Sequence, residues 1–166
     1  MNTHTLAAPT FTRPADTTAY ASGDLVANST TAASVVALVF TNAARVLGNG
    51  YRVKRCRIRK SDNANVANAA FRLHLFSATP TFATNGDNDA ISGNTSGAAS
   101  WLGSLDVTAM IALADDAVGQ GIPVSGQEVV VKPSSSLHLY GILEARGAYT
   151  PVSEETFTVT LEIEWL

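Results

Sequence analysis

Cysteine is almost missing from this chain: Cys56 is the only one in 166 residues. A single thiol excludes an internal disulfide and any zinc site built from several cysteines, so stability has to come from packing or assembly. Lysine is scarce as well, limited to Lys54, Lys60 and Lys132, and charged residues make up only 15% of the chain. The net charge of −3 argues against a protein whose main task is to hold nucleic acid, because that affinity comes from neutralising phosphates in bulk. No window holds the eighteen or so apolar residues a membrane span needs, and MNTHTLAAPTFTRPADTT has neither a basic start nor a long apolar core. Neither a secretion signal nor a membrane anchor is expected. Catalytic and nucleotide signatures are missing too: there is no GxSxG elbow, Walker loop or Rossmann glycine pattern.

What is present is a chain of 46% hydrophobic residues, enough for one folded domain. Thr, Ser, Ala, Asn and Gly dominate, which favours strands joined by polar loops. The C-terminal TFTVTLEIEWL has an unbroken period of two, with Phe157, Val159, Leu161, Ile163 and Trp165 predicted inward. AAFRLHLFS repeats it, with Phe71, Leu73 and Leu75 inward and Arg72 and His74 outward. SLHLYGILEA alternates with both faces fairly apolar, so it is predicted to be central or covered on both sides. SVVALVF (34–40) reads as a buried strand and GQEVVVKP as a short one closed by Pro133. Thr10 to Arg13, Asp24 to Ala27 and Trp101 to Val107 are further strand candidates. About eight strands at this spacing predict a single all-β, antiparallel sandwich. Residues 77–100 read as a polar loop, and residues 108–122 as a loop holding one helical turn around Ala109 to Ala114 that Gly119 and Gly121 end.

The stretch GYRVKRCRIRK concentrates six Lys or Arg in eleven residues. Tyr51 and Val53 occupy one parity and Cys56 and Ile58 the other, which predicts a β-bulge near Lys54 and Arg55 and leaves most of the cations facing out. Nucleic-acid sheets interleave exposed cations with exposed aromatics. This strand offers only Tyr51, on its inward side, so a solvated face or a contact with an acidic protein surface is the better reading. Glu162 and Glu164, outward on the last strand, are the natural partners, either within the sheet or across a subunit boundary.

Other candidates favour ordinary structural roles. His4 falls in a tail, and His74 and His138 fall on separate strands without a metal-ligand spacing. Cys56 reads as a buried structural thiol. Asp87 and Asp89 lack the spacing of a calcium loop and read as a polar loop tip. Asp115 and Asp116 are adjacent, so their carboxylates need not converge. No cofactor, metal site or catalytic group is predicted.

Three segments, FTRPADTTAYASGDLVANS, FRLHLFSATPT and LYGILEARGAYTPVSEETFTVTLEIEW, together resemble a group of small structural proteins encoded among the head genes of tailed bacteriophages. The resemblance implies a capsid decoration, or cement, protein: a jelly-roll sandwich, often trimeric, bound to the major capsid protein on the outer surface of the virion. Such a protein is not an enzyme and stabilises its shell by bridging subunits. On this reading residues 1–20 form an extended N-terminal arm and 21–166 the sandwich domain. The interface is expected to draw on Phe11, Arg13 and Tyr20 of the arm, Arg52, Arg55, Arg57 and Arg59 of the basic strand, and Glu162 and Glu164. The rival expectation is a tail or head-fibre module binding host carbohydrate through Trp101, Phe82 or Tyr149, although Trp101 begins a strand and is placed in the core.

Overall fold

The computed structural model describes residues 3–6, 9–124 and 128–166. In chain order the first strands are β1 (Thr3–Thr5), β2 (Thr10–Thr12), β3 (Leu25–Val26), β4 (Leu38–Phe40), β5 (Tyr51–Lys60), β6 (Phe71–Phe76), β7 (Thr81–Phe82) and β8 (Thr95–Ser96). They are followed by β9 (Trp101–Val107), β10 (Ile111–Ala112), β11 (Ala117–Pro123), β12 (Val129–Val131), β13 (Leu139–Ala145) and β14 (Thr156–Trp165). Two 3-10 turns, Ala32–Ser34 and Ala98–Ser100, lie between strands.

Twelve strands join one antiparallel path, β1-β14-β5-β11-β9-β6-β13-β3, with β2, β4, β10 and β12 attached to its members; β7 and β8 form a separate ribbon. The path turns a corner at β11. Residues 117–121 of that strand pair with β5, whereas Ile122 and Pro123 pair with β9. The result is sandwich-like, with a first sheet centred on β14 and β5 and a second on β9, β6 and β13. Ile58, Val159, Leu161 and Ile163 of the first sheet share one core with Leu73, Leu75, Leu105 and Leu143 of the second. Phe71 meets Phe157 edge-on across it, at 5.5 Å between ring centres, a favoured aromatic geometry.

The all-β, antiparallel reading holds, but the eight-strand count does not. β3, β7, β8 and β10 are two residues each, too short to print a period of two on the sequence. The helical turn expected near Ala109 to Ala114 is replaced by β10, which pairs with Ala117 and Val118 of β11. Gly119 and Gly121 do not end an element; they let β11 pass close under its neighbours. A Cβ on Gly119 would lie 2.4 Å from Val107 Cγ1, and one on Gly121 would lie 2.8 Å from the Asp106 carbonyl oxygen. SVVALVF yields only β4, because Asn28 holds the Ser34 carbonyl and the Val36 amide in a turn, leaving Val36 68% exposed.

Period-two residues fare better. Phe71, Leu73 and Leu75 are buried, as are Phe157, Val159, Leu161 and Ile163. β13 is central, flanked by β6 on one side and by β3 and β4 on the other. The bulge in β5 is present: Arg55 pairs with Glu162 and Val53 with Ile163, so Lys54 is the extra residue. The N-terminal segment lies along its own chain, with β1 and β2 both paired to β14.

Candidate functional site

The bulge and the ladder together assemble the outer face of the first sheet. In antiparallel strands directly opposed residues project on the same side, so the register defines rows across this face. One row runs Thr3, Glu164, Arg52, Val130 and the next Thr5, Glu162, Arg55. Further along come Thr160, Arg57, Gln120 and then Thr10, Thr158, Arg59, Val118, Ile111. Six of the nine residues expected at an interface therefore share one surface: Arg52, Arg55, Arg57, Arg59, Glu162 and Glu164.

Their charges are largely matched within the sheet. Arg52 Nη1 donates to Glu128 Oε1 at 2.7 Å and its Nε lies 3.4 Å from Glu164 Oε2; Lys54 Nζ is 3.7 Å from the same oxygen. Arg55 pairs with Glu162, and Arg59 with Asp116. Arg57 is different. It is exposed, lies between Thr160 and Gln120, and has no acidic partner among the described residues. It borders a depression of about 230 Å³ lined also by Thr5, Arg55, Gln120, Thr160 and Glu162. The exposed ion pairs are each worth about 0–1 kcal/mol, so they set the register and orientation of the face more than its stability. Beneath it Cys56 is buried, and burial pushes its thiol up to about 12, which removes the reactive thiolate.

The other three expected interface residues lie elsewhere. Phe11 is half-buried and stacks on Phe157 at 5.5 Å. Arg13 and Tyr20 are each 2% exposed, and their polar groups are satisfied inside the chain. Arg13 Nη2 donates to Asp87 Oδ2 at 3.0 Å, Arg13 Nε to the Tyr20 hydroxyl at 2.8 Å, and that hydroxyl to Asp87 Oδ1 at 2.6 Å. The Ala27 amide completes the set at 2.7 Å. Burial pushes the Asp87 carboxyl above its ordinary range, and its donors work against that shift. Asp87 is thus the anchor of the arm and not a loop tip. Nothing in TNGDNDA signals this, since the partners are sixty and more residues away in sequence.

Lys60 was readable, because it shares the parity of Cys56 and Ile58. It is fully buried and donates to Glu155 Oε1 at 2.7 Å and to the Ala64 carbonyl at 2.8 Å. His4 is not in a loose tail: it lies in β1 with its ring 3.4 Å from that of Trp165.

A second cluster occupies the outer face of the second sheet. Arg72 grips Asp106 with two hydrogen bonds of 2.6 and 2.7 Å, and that contact holds the Asp106 carboxyl below its ordinary range. His74 Nε2 lies 2.7 Å from Glu144 Oε2, and Arg146 donates to Glu144 Oε1 at 2.8 Å. Burial would raise the Glu144 carboxyl, but these two partners outweigh it and the net shift is downward. Trp101 belongs to this face and not to the core. Leu75 pairs with Gly103 and Phe76 with Trp101, so the ladder skips Leu102, and the extra residue turns Trp101 outward to 49% exposure. Phe82 is half-buried and Tyr149 fully buried, so neither is an exposed platform. Among the described residues no group of three or more His, Cys, Asp or Glu is placed to hold a metal ion.

No protein-family model matches the chain, and no curated protein matches it at a significant level.

Proposed function

We propose that this chain is a structural virion protein that binds the outside of a phage capsid and stabilises the shell by bridging capsid subunits. The observation that supports this reading most is Arg57, an unmatched cation in the middle of a face whose other charges are paired and whose strands are locked by a continuous ladder. Arginine is enriched at protein interfaces and dominates binding where it is central and surrounded by contacts that exclude water. Val130 and Ile111, both exposed at the margin of this face, add apolar contact area around it. The fitting partner is an acidic patch on the major capsid protein, which would pair with Arg57 and exchange partners with its ion-paired neighbours.

The proposal includes a jelly-roll relationship between the two sheets and a homotrimer on the shell. A ligand of the assembled shell alone stabilises it by mass action, and an oligomer that spans several subunits gains from effective concentration. No bond is made or broken in this role.

The test is co-sedimentation with empty shells of the phage that encodes the protein. The wild-type chain is expected to pellet with the shells in a fixed ratio. Arg57→Glu is expected to weaken binding about thirtyfold, the effect of losing one central arginine worth about 2 kcal/mol. A wild-type chain that stays in the supernatant, or an Arg57→Glu variant that binds unchanged, overturns the proposal.

A further inference from the structure

The outer face of the second sheet carries a groove of about 240 Å³, lined by Trp101, Arg72, His74, Gly103, Ser104 and Glu128 among others. Bulges recur beside binding sites because they re-aim a side chain, and this one lifts Trp101 out of the core while Leu102 packs on the core in its stead. Gly103, at φ +143°, is the residue that allows it, since a Cβ there would lie 2.9 Å from Val129 Cγ2. The indole is then held in place. Its Nε1–H donates to His74 Nδ1 at 3.3 Å, and His74 Nε2 is fixed against Glu144 at 2.7 Å. A half-exposed tryptophan secured by its polar edge presents a rigid apolar face to solvent, and such preorganisation reduces the cost of binding.

The polar groups beside the indole define the ligand's chemistry. Arg72 is paired with Asp106, Arg146 with Glu144 and Arg52 with Glu128, so the groove has no uncompensated charge to draw in an ion. A carboxylate, Glu128, lines the groove and disfavours a phosphate there. Hydrogen-bonding capacity is left over: Arg72 Nη1 and the Ser104 hydroxyl make no hydrogen bond among the described residues, and the Asp106 carboxylate retains lone pairs. The volume suits one small ring more than a drug-sized ligand. We propose that this groove binds a neutral pyranose unit of a polysaccharide, its C–H face stacked on Trp101 and its hydroxyls bonded to Arg72, Asp106 and Ser104. The site does not depend on the capsid reading and lies on the other sheet from Arg57.

Saturation-transfer NMR on the full chain tests it, with the methyl glycosides of glucose, mannose, galactose and N-acetylglucosamine as probes. At least one is expected to bind with a millimolar dissociation constant. Trp101→Ala is expected to weaken that sugar roughly tenfold or more, and Arg72→Gln, which leaves the indole in place, to weaken it as well. Arg57→Ala is expected to leave sugar binding unchanged, which separates this site from shell binding. No transfer to any of the four sugars, binding that survives Trp101→Ala, or preference for uridine monophosphate over the sugars overturns the inference.

Discussion

Lys60 and Glu155 are both fully enclosed, and they illustrate how unevenly a buried ion pair responds to change. The pair contributes little net stability over an apolar replacement, because taking two charges out of water costs about what their attraction returns. Removing one partner is a different matter, since burial already pushes the Glu155 carboxyl up and Glu155 Oε2 is buried without a partner. Lys60→Ala is expected to destabilise the fold by about 3–5 kcal/mol in urea unfolding. The double variant Lys60→Met, Glu155→Leu is expected to recover most of that loss. A double variant no more stable than Lys60→Ala would mean the pair holds the fold together by its attraction. The Arg13, Tyr20 and Asp87 group follows the same logic next to this pair, where the Arg13 amide donates to the Glu155 carbonyl at 3.0 Å.

Elements in this protein are shaped by single extra residues. In β5 the surplus residue is Lys54, and its removal would leave Tyr51, Val53, Cys56, Ile58 and Lys60 in unbroken alternation. Deletion of Lys54 is therefore expected to fold, with the Tm lowered by only about 2–4 °C for the lost Glu164 contact. Deletion of Arg57 shifts one half of the strand by a residue and turns its apolar set to solvent. That variant is expected to show no cooperative thermal transition by circular dichroism. Equal behaviour of the two deletions would mean the bulge does not set the register. In β9 the surplus residue is Leu102, with the consequence that an aromatic expected inside becomes the platform of a groove.

Over the whole molecule, the outer charges make stability depend on acid. Asp106 and Glu144 have carboxyls held below their ordinary values of 3.8 and 4.5. A depressed folded-state pKa contributes stability above the unfolded value, and that contribution is lost as pH falls through the folded one. Buried Asp87 and Glu155, whose carboxyls are raised, act in the opposite sense, so the comparison is between variants: below about pH 4.5 Tm is expected to fall less in Asp106→Asn than in the wild type, and equal falls in the two would rule the Asp106 pair out as a source. The arm contributes at the same scale. By pairing with β14, β1 and β2 cover a long edge that would otherwise be open to other chains.

The amino-acid sequence by itself determined the class and the interior of the long strands. The alternation in β6, β13 and β14 and the change of parity in β5 are local properties, because consecutive residues on a strand point to opposite faces whatever surrounds them. They placed a bulge near Lys54 and Arg55 and turned most of the strand's cations, Arg52, Arg55, Arg57 and Arg59 among them, to one surface. Only tertiary structure decided what those residues meet. Glu162 and Glu164 turned out to be partners within the sheet because β14 lies beside β5, and Arg13 and Tyr20 were drawn inside because Asp87, more than sixty residues away, needed donors. Trp101 shows the limit most clearly: its place at the start of a strand put it in the core by expectation, and one skipped rung in the ladder, invisible without the partner strand, put it at the surface.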